Sequence, residues 1–104
     1  MSLVVPMSGN NIIFAGTLTD TEEFPVSARG RLLSVFATGT AGNSASVYGG
    51  VRNAAGALEW EWLATVTVGA GNTMDSAQLV DFGHPFLKVE NVSGTPRITM
   101  TWSN

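Results

Sequence analysis

Apolar and β-branched residues fall into eight short runs, at 11–17, 24–26, 31–38, 45–52, 58–68, 77–82, 85–91 and 97–102, separated by Gly, Asn, Ser and Pro. Within several runs the alternation has period two, as where Leu87 and Val89 alternate with Lys88 and Glu90. Strands with one buried face read this way, and strands repeated at short, turn-bounded intervals read as a sandwich or barrel. No segment of 10 or more residues keeps a helical period. The pattern therefore predicts an all-β fold, an antiparallel β-sandwich of jelly-roll or Ig-like type, with about 7–8 strands and little or no helix.

Two stretches invite a register. If 53–56 form a four-residue loop, Arg52 pairs with Ala57, and Val51, Gly49 and Val47 face Leu58, Trp60 and Trp62. Both tryptophans then lie on the inner face, with Gly49 leaving room for an indole. The outer set becomes Ser46, Tyr48, Gly50, Arg52, Glu59 and Glu61. A second hairpin is expected around a loop at 92–95, which sets Val89 opposite Ile98 and pairs Glu90 with Arg97 across the outer face. Leu33, Val35 and Ala37 alternate with Leu32, Ser34 and Phe36, so this strand is expected to be central or covered on both sides.

The chain of 104 residues suits one domain. Residues 11–104 are expected to form it. Residues 1–10 are expected as an N-terminal arm, because Pro6, Ser8, Gly9 and Asn10 interrupt pairing while Leu3, Val4, Val5 and Met7 stay apolar. Such an arm docks on its own domain or on a neighbour.

Composition sharpens this picture. Charged residues make up only 12% of the chain, against about 25% in an average globular protein. Gly, Ser, Thr, Ala and Asn take their place, which fits a neutral β surface or a face hidden in an assembly. The net charge is −3, and the five basic residues are scattered at Arg29, Arg31, Arg52, Lys88 and Arg97. No cationic stripe exists to neutralise phosphates, so no nucleic-acid partner is expected, and an anionic membrane surface would repel the chain weakly. There is no cysteine, so disulfides and thiolate metal sites are excluded. The first residues lack the basic and apolar regions of a secretory signal, and no apolar stretch of the ~20 residues needed to span a bilayer as a helix occurs.

Candidate chemistry is sparse. Glu59 and Glu61, two apart on a strand, place their carboxylates on one face about 7 Å apart, a separation that overlaps the spacing of glycosidase pairs. The expected register turns them toward solvent or a partner, with no apolar pocket around either. His84 is the sole histidine; Asp81 would orient it only if the intervening turn brought the two together, and no Gly-x-Ser-x-Gly elbow supplies a nucleophile. The glycine-rich 38–44 loop lacks the lysine and following helix of a phosphate cradle. Asp20, Glu22 and Glu23 do not follow the spacing of a calcium loop. No cofactor and no metal are expected. Trp60, Trp62 and Trp102 are read as core, leaving Tyr48 as the one surface aromatic.

Several stretches taken in order carry a resemblance. They are Arg31-Leu32-Leu33-Ser34-Val35-Phe36-Ala37-Thr38-Gly39-Thr40, the hairpin ending in Glu59-Trp60-Glu61-Trp62, Gly69-Ala70-Gly71-Asn72, and the final pair running from Phe86 and from Arg97 to Trp102. Over residues 30–104 this pattern resembles small virion proteins of tailed bacteriophages, whose β-sandwich modules decorate capsids or build fibres and tails, often as trimers. The resemblance implies a non-enzymatic virion protein, made in the host cytoplasm: a capsid decoration, or cement, protein that bridges subunits of a major capsid protein. A homotrimer would suit threefold positions of a shell. The expected contacts are Leu3, Val4, Val5 and Met7 in the arm and Tyr48, Arg52, Glu59 and Glu61 on the outer face. The alternative is a carbohydrate- or receptor-binding module of a phage fibre or tail.

Overall fold

The computed structural model describes residues 10–25, 32–80 and 84–103. The expected arm, with Leu3, Val4, Val5 and Met7, lies outside them except for Asn10, which already belongs to a strand. Arg29, Arg31 and Asp81 also fall outside.

Each of the eight apolar runs carries one strand: β1 (Asn10–Thr17), β2 (Thr21–Pro25), β3 (Leu32–Thr38), β4 (Ser44–Arg52), β5 (Leu58–Thr67), β6 (Asp75–Val80), β7 (Phe86–Ser93) and β8 (Arg97–Ser103). No helix occurs among the described residues. The strands form two four-stranded antiparallel sheets, ordered β1-β8-β3-β6 and β2-β7-β4-β5. The pairs β1–β8, β2–β7, β3–β6 and β4–β5 nest inside one another. The chain thus behaves as one long hairpin, with β4–β5 at its tip, rolled up so that β3 also meets β8 and β4 also meets β7. Of the two sandwich types the alternation allows, this is the jelly roll.

The core lies between the sheets. Leu33, Val35 and Ala37 of β3 and Ile98 and Met100 of β8 face Ala45 and Val47 of β4, Val66 of β5, and Leu87 and Val89 of β7, all fully buried. Phe14, Phe24, Leu63, Leu79 and Trp102 pack partly buried around them. Full burial of an aliphatic side chain contributes about 1.5–3 kcal/mol, so a chain without cysteine is held by this layer. β3 is central, as expected, between β8 and β6. On its outer side Ser34 is buried as well, while Leu32 and Phe36 are half-buried.

Two expected registers are corrected. β7 and β8 do not form a hairpin, since β7 belongs to one sheet and β8 to the other. Their apolar faces meet across the core rather than side by side. The expected Glu90–Arg97 pair is consequently absent: Glu90 stands opposite Thr21 and Ser46, and Arg97 opposite Thr17 and Thr38. Both topologies satisfy the same alternation.

The β4–β5 hairpin is offset by one residue from the expected pairing. Arg52 faces Leu58, Gly50 faces Trp60 and Tyr48 faces Trp62. Asn53 sets this register. Its backbone N–H donates to the Ala57 carbonyl (2.8 Å), its carbonyl accepts from Gly56 N–H (2.9 Å), and its side-chain oxygen accepts from the backbone N–H groups of Ala55 and Ala57. Gly56 takes φ +85°. Asn53 and Ala57 therefore close a three-residue loop ending in a left-handed glycine, one of the common hairpin turns. Nearer the core, Val47 faces Ala64 instead, so Leu63 is an extra residue, a β-bulge. The bulge reverses the phase of β5. Ala64 and Val66 point inward, while Trp60 and Trp62 point outward.

Candidate functional site

The tip of the β4–β5 hairpin presents two faces with different chemistry. On the outer face of the β2-β7-β4-β5 sheet stand Tyr48, Arg52, Trp60, Trp62, Phe86 and Lys88. Gly50 makes this face possible. The Trp60 ring lies so close over it that a Cβ would come within 2.6 Å of Cζ3. The indole reaches across β4 toward β7, where the Lys88 ammonium sits 4.7 Å from the Trp60 ring centroid and 4.6 Å from that of Tyr48. The Arg52 guanidinium lies 5.0 Å from the Phe86 centroid and donates to the Gly56 carbonyl (2.8 Å). Each cation–π contact is worth about 0.5–2 kcal/mol, depending on how far water is excluded.

Trp62 is the open member, 59% exposed. Its Nε1–H donates to Thr65 Oγ1 (2.9 Å), which is itself hydrogen-bonded to Ser46 Oγ (2.8 Å). With the N–H occupied and the ring tethered, what Trp62 offers to a partner is its π face. Tyr48 OH reaches toward Glu90 Oε1 at 3.4 Å.

On the other side of the same hairpin, Gly49, Val51, Glu59, Trp60, Glu61 and His84 line an open cleft of about 310 Å³. The His84 imidazole is seated on Gly49, where a Cβ would overlap the ring. His84 Nε2 approaches Glu61 Oε1 at 3.1 Å, with the imidazole 23% and the carboxylate 71% exposed. His84 Nδ1 is buried and finds no hydrogen-bond partner among the described residues, so the Nε2–H tautomer fits this setting. Glu59 accepts from Asn53 Nδ2 (2.9 Å). Among the described residues the lining holds no hydroxyl or thiol. No cluster of three His, Cys, Asp or Glu side chains suited to a metal occurs among the described residues.

The expected contact residues are thereby divided. Tyr48 and Arg52 lie on the outer face, as expected, but beside the tryptophans rather than opposite them. Glu59 and Glu61 are turned to the inner side and bound to Asn53 and His84, where an outward position was expected. Trp60 and Trp62 are not core. The role assigned to Gly49 belongs to Gly50, and Gly49 accommodates His84. The signal for all of this lay in Asn53-Ala54-Ala55-Gly56-Ala57, whose Asn and Gly suit a three-residue loop as well as a four-residue one. Trp102 packs against the core, as expected.

Comparison with protein-family models and with curated proteins gives no match.

Proposed function

We propose that this chain is a non-enzymatic recognition module of a phage fibre or tail, which holds a carbohydrate or receptor against the outer face of its β2-β7-β4-β5 sheet. The observation that carries this reading is the outward placement of Trp60 and Trp62 beside Tyr48, with the Trp62 ring exposed. Aromatic rings fixed on a sheet offer large apolar contact at small cost in conformational entropy. Jelly rolls serve in viral capsid and lectin domains, an analogy of fold that gains weight only beside the site itself. A glycan array of the wild type and Trp62→Ala tests the proposal. Binding that is lost in the variant supports it; binding unaffected by the substitution, or none at all, would sink it.

A second reading, a decoration protein bridging major capsid subunits as a homotrimer, is favoured by a different surface. The outer face of the β1-β8-β3-β6 sheet exposes Ile12 (57%) and Val80 (74%) among Phe36, Thr99, Thr101 and Gln78, with Arg97 alone at one end. A face with so little charge among its described residues is buried against a neighbour at small cost in ion desolvation. Under this reading Val80→Lys is expected to reduce the mass measured by light scattering from that of an oligomer to that of the monomer. A wild-type monomer would dismiss the trimer.

A further inference from the structure

Lys88 stands between two carboxylates and pairs with neither. Across the outer face run Glu23, Lys88, Tyr48 and Trp62, each opposite the next on neighbouring strands. Glu90 is two residues further along β7 on the same side. Yet among the described residues Lys88 takes part in no ion pair, while the Glu61 carboxylate is met by the His84 imidazole. Its ammonium is turned onto the rings of Tyr48 and Trp60 instead. Rings stabilise the charge but leave the N–H donors without a strong acceptor. An ammonium held over aromatic surface, with no hydrogen-bond acceptor on it among the described residues, is prepared for a charge-assisted hydrogen bond to an incoming anion.

The second half of the site is Trp62. Neighbouring strands lie about 4.8 Å apart, which puts Lys88 and Trp62 roughly 10 Å from each other at the backbone. Because the indole N–H is occupied by Thr65, Trp62 contributes a flat apolar face. The span between that face and the ammonium suits a ligand with a flat C–H-rich ring at one end and a carboxylate at the other. Resting on the recognition reading above, we infer that the ligand is an acidic saccharide, with a pyranose ring stacked on Trp62 and a carboxylate hydrogen-bonded to Lys88. The chain's net charge of −3 makes this local preference for an anion a property of the site and not of the whole molecule. Glu23 and Glu90 border the site and repel an anion, so a carboxylate is held there only where it meets the Lys88 ammonium directly.

The experiment is titration calorimetry of the full chain with tetragalacturonate, its neutral methyl ester and maltotetraose, alongside an array of acidic and neutral glycans. The wild type is expected to bind the acid about tenfold more tightly than the ester, the difference one charge-assisted bond of about 1.4 kcal/mol makes. Lys88→Met should erase that preference, Lys88→Arg should retain it, and added salt should weaken the acid alone. Thermal melting of each variant shows whether it is folded. Equal affinity for acid and ester, or a preference that persists in Lys88→Met, overturns the acidic ligand. Binding confined to neutral glycans and lost in Trp62→Ala overturns it too, while leaving the recognition reading in place. No binding to any glycan removes both.

Discussion

Two adjacent glycines carry the residue-scale logic of the site. Gly49 and Gly50 point to opposite sides of β4, and each is covered by a ring, the imidazole of His84 on one side and the indole of Trp60 on the other. A methyl group at either position must displace its ring. Gly50→Ala is expected to cost about 1–3 kcal/mol in denaturant unfolding, as overpacking does, and to release Lys88 from Trp60. Gly49→Ala should cost a similar amount by unseating His84 from Glu61. In the His84→Ala background the same substitution should be nearly neutral, so a double-mutant cycle would show coupling of about 1 kcal/mol or more. Additive losses would mean that the imidazole is not what Gly49 accommodates. That a strand glycine here makes room for a large ring is legible in the sequence. Which glycine serves which ring depends on a register one residue wide, and period two cannot resolve it because both frames alternate equally well.

At the scale of elements, strands such as β6 and β7 are legible because each buries one face and therefore alternates, whereas of β2 only Phe24 and Pro25 fall in an apolar run, its first residues being Thr21, Glu22 and Glu23. Their partners are less so. The run of Leu87 and Val89 followed by Ile98, Met100 and Trp102 fits a hairpin, but it fits equally two strands that face each other across a core, and the latter is what forms. The Asn53 turn shows the same limit from the local side. Its loop length is fixed by side-chain hydrogen bonds to the N–H groups of Ala55 and Ala57, not by the apolar pattern. Asn53→Ala removes these and the donor to Glu59, and is expected to lower stability by about 1–2 kcal/mol in chemical unfolding. It should also broaden the amide resonances of Trp60 and Trp62 as the tip register loosens. Unchanged stability would assign the register to the Gly56 conformation alone. At the opposite end, Asn91 Nδ2 joins two connections by donating to the carbonyls of Leu18 (3.0 Å) and Gly94 (2.6 Å), a link no periodicity reveals.

For the whole molecule, the nested pairing has a kinetic cost. Among the described strands, only β4 and β5 pair as immediate neighbours in sequence; the other pairs join strands separated by at least one further strand. Such non-local topologies fold on the order of milliseconds to seconds, and stopped-flow refolding followed by tryptophan fluorescence should fall in that range. A microsecond phase carrying the full amplitude would contradict it. The Leu63 bulge has a further consequence, for how this surface evolves. The core fixes the pairing at the base of the hairpin, the turn fixes it at the tip, and the bulge absorbs the one-residue mismatch. Losing a single turn residue, such as Ala55, would let Leu63 pair regularly and bring the tip into the other frame. Trp60 and Trp62 would rotate inward, seen as a blue-shifted emission, and Glu59 and Glu61 would rotate out. One strand thus encodes two alternative surfaces, aromatic and acidic, and a lineage could exchange one specificity for the other by deleting a codon, with no substitution in the core.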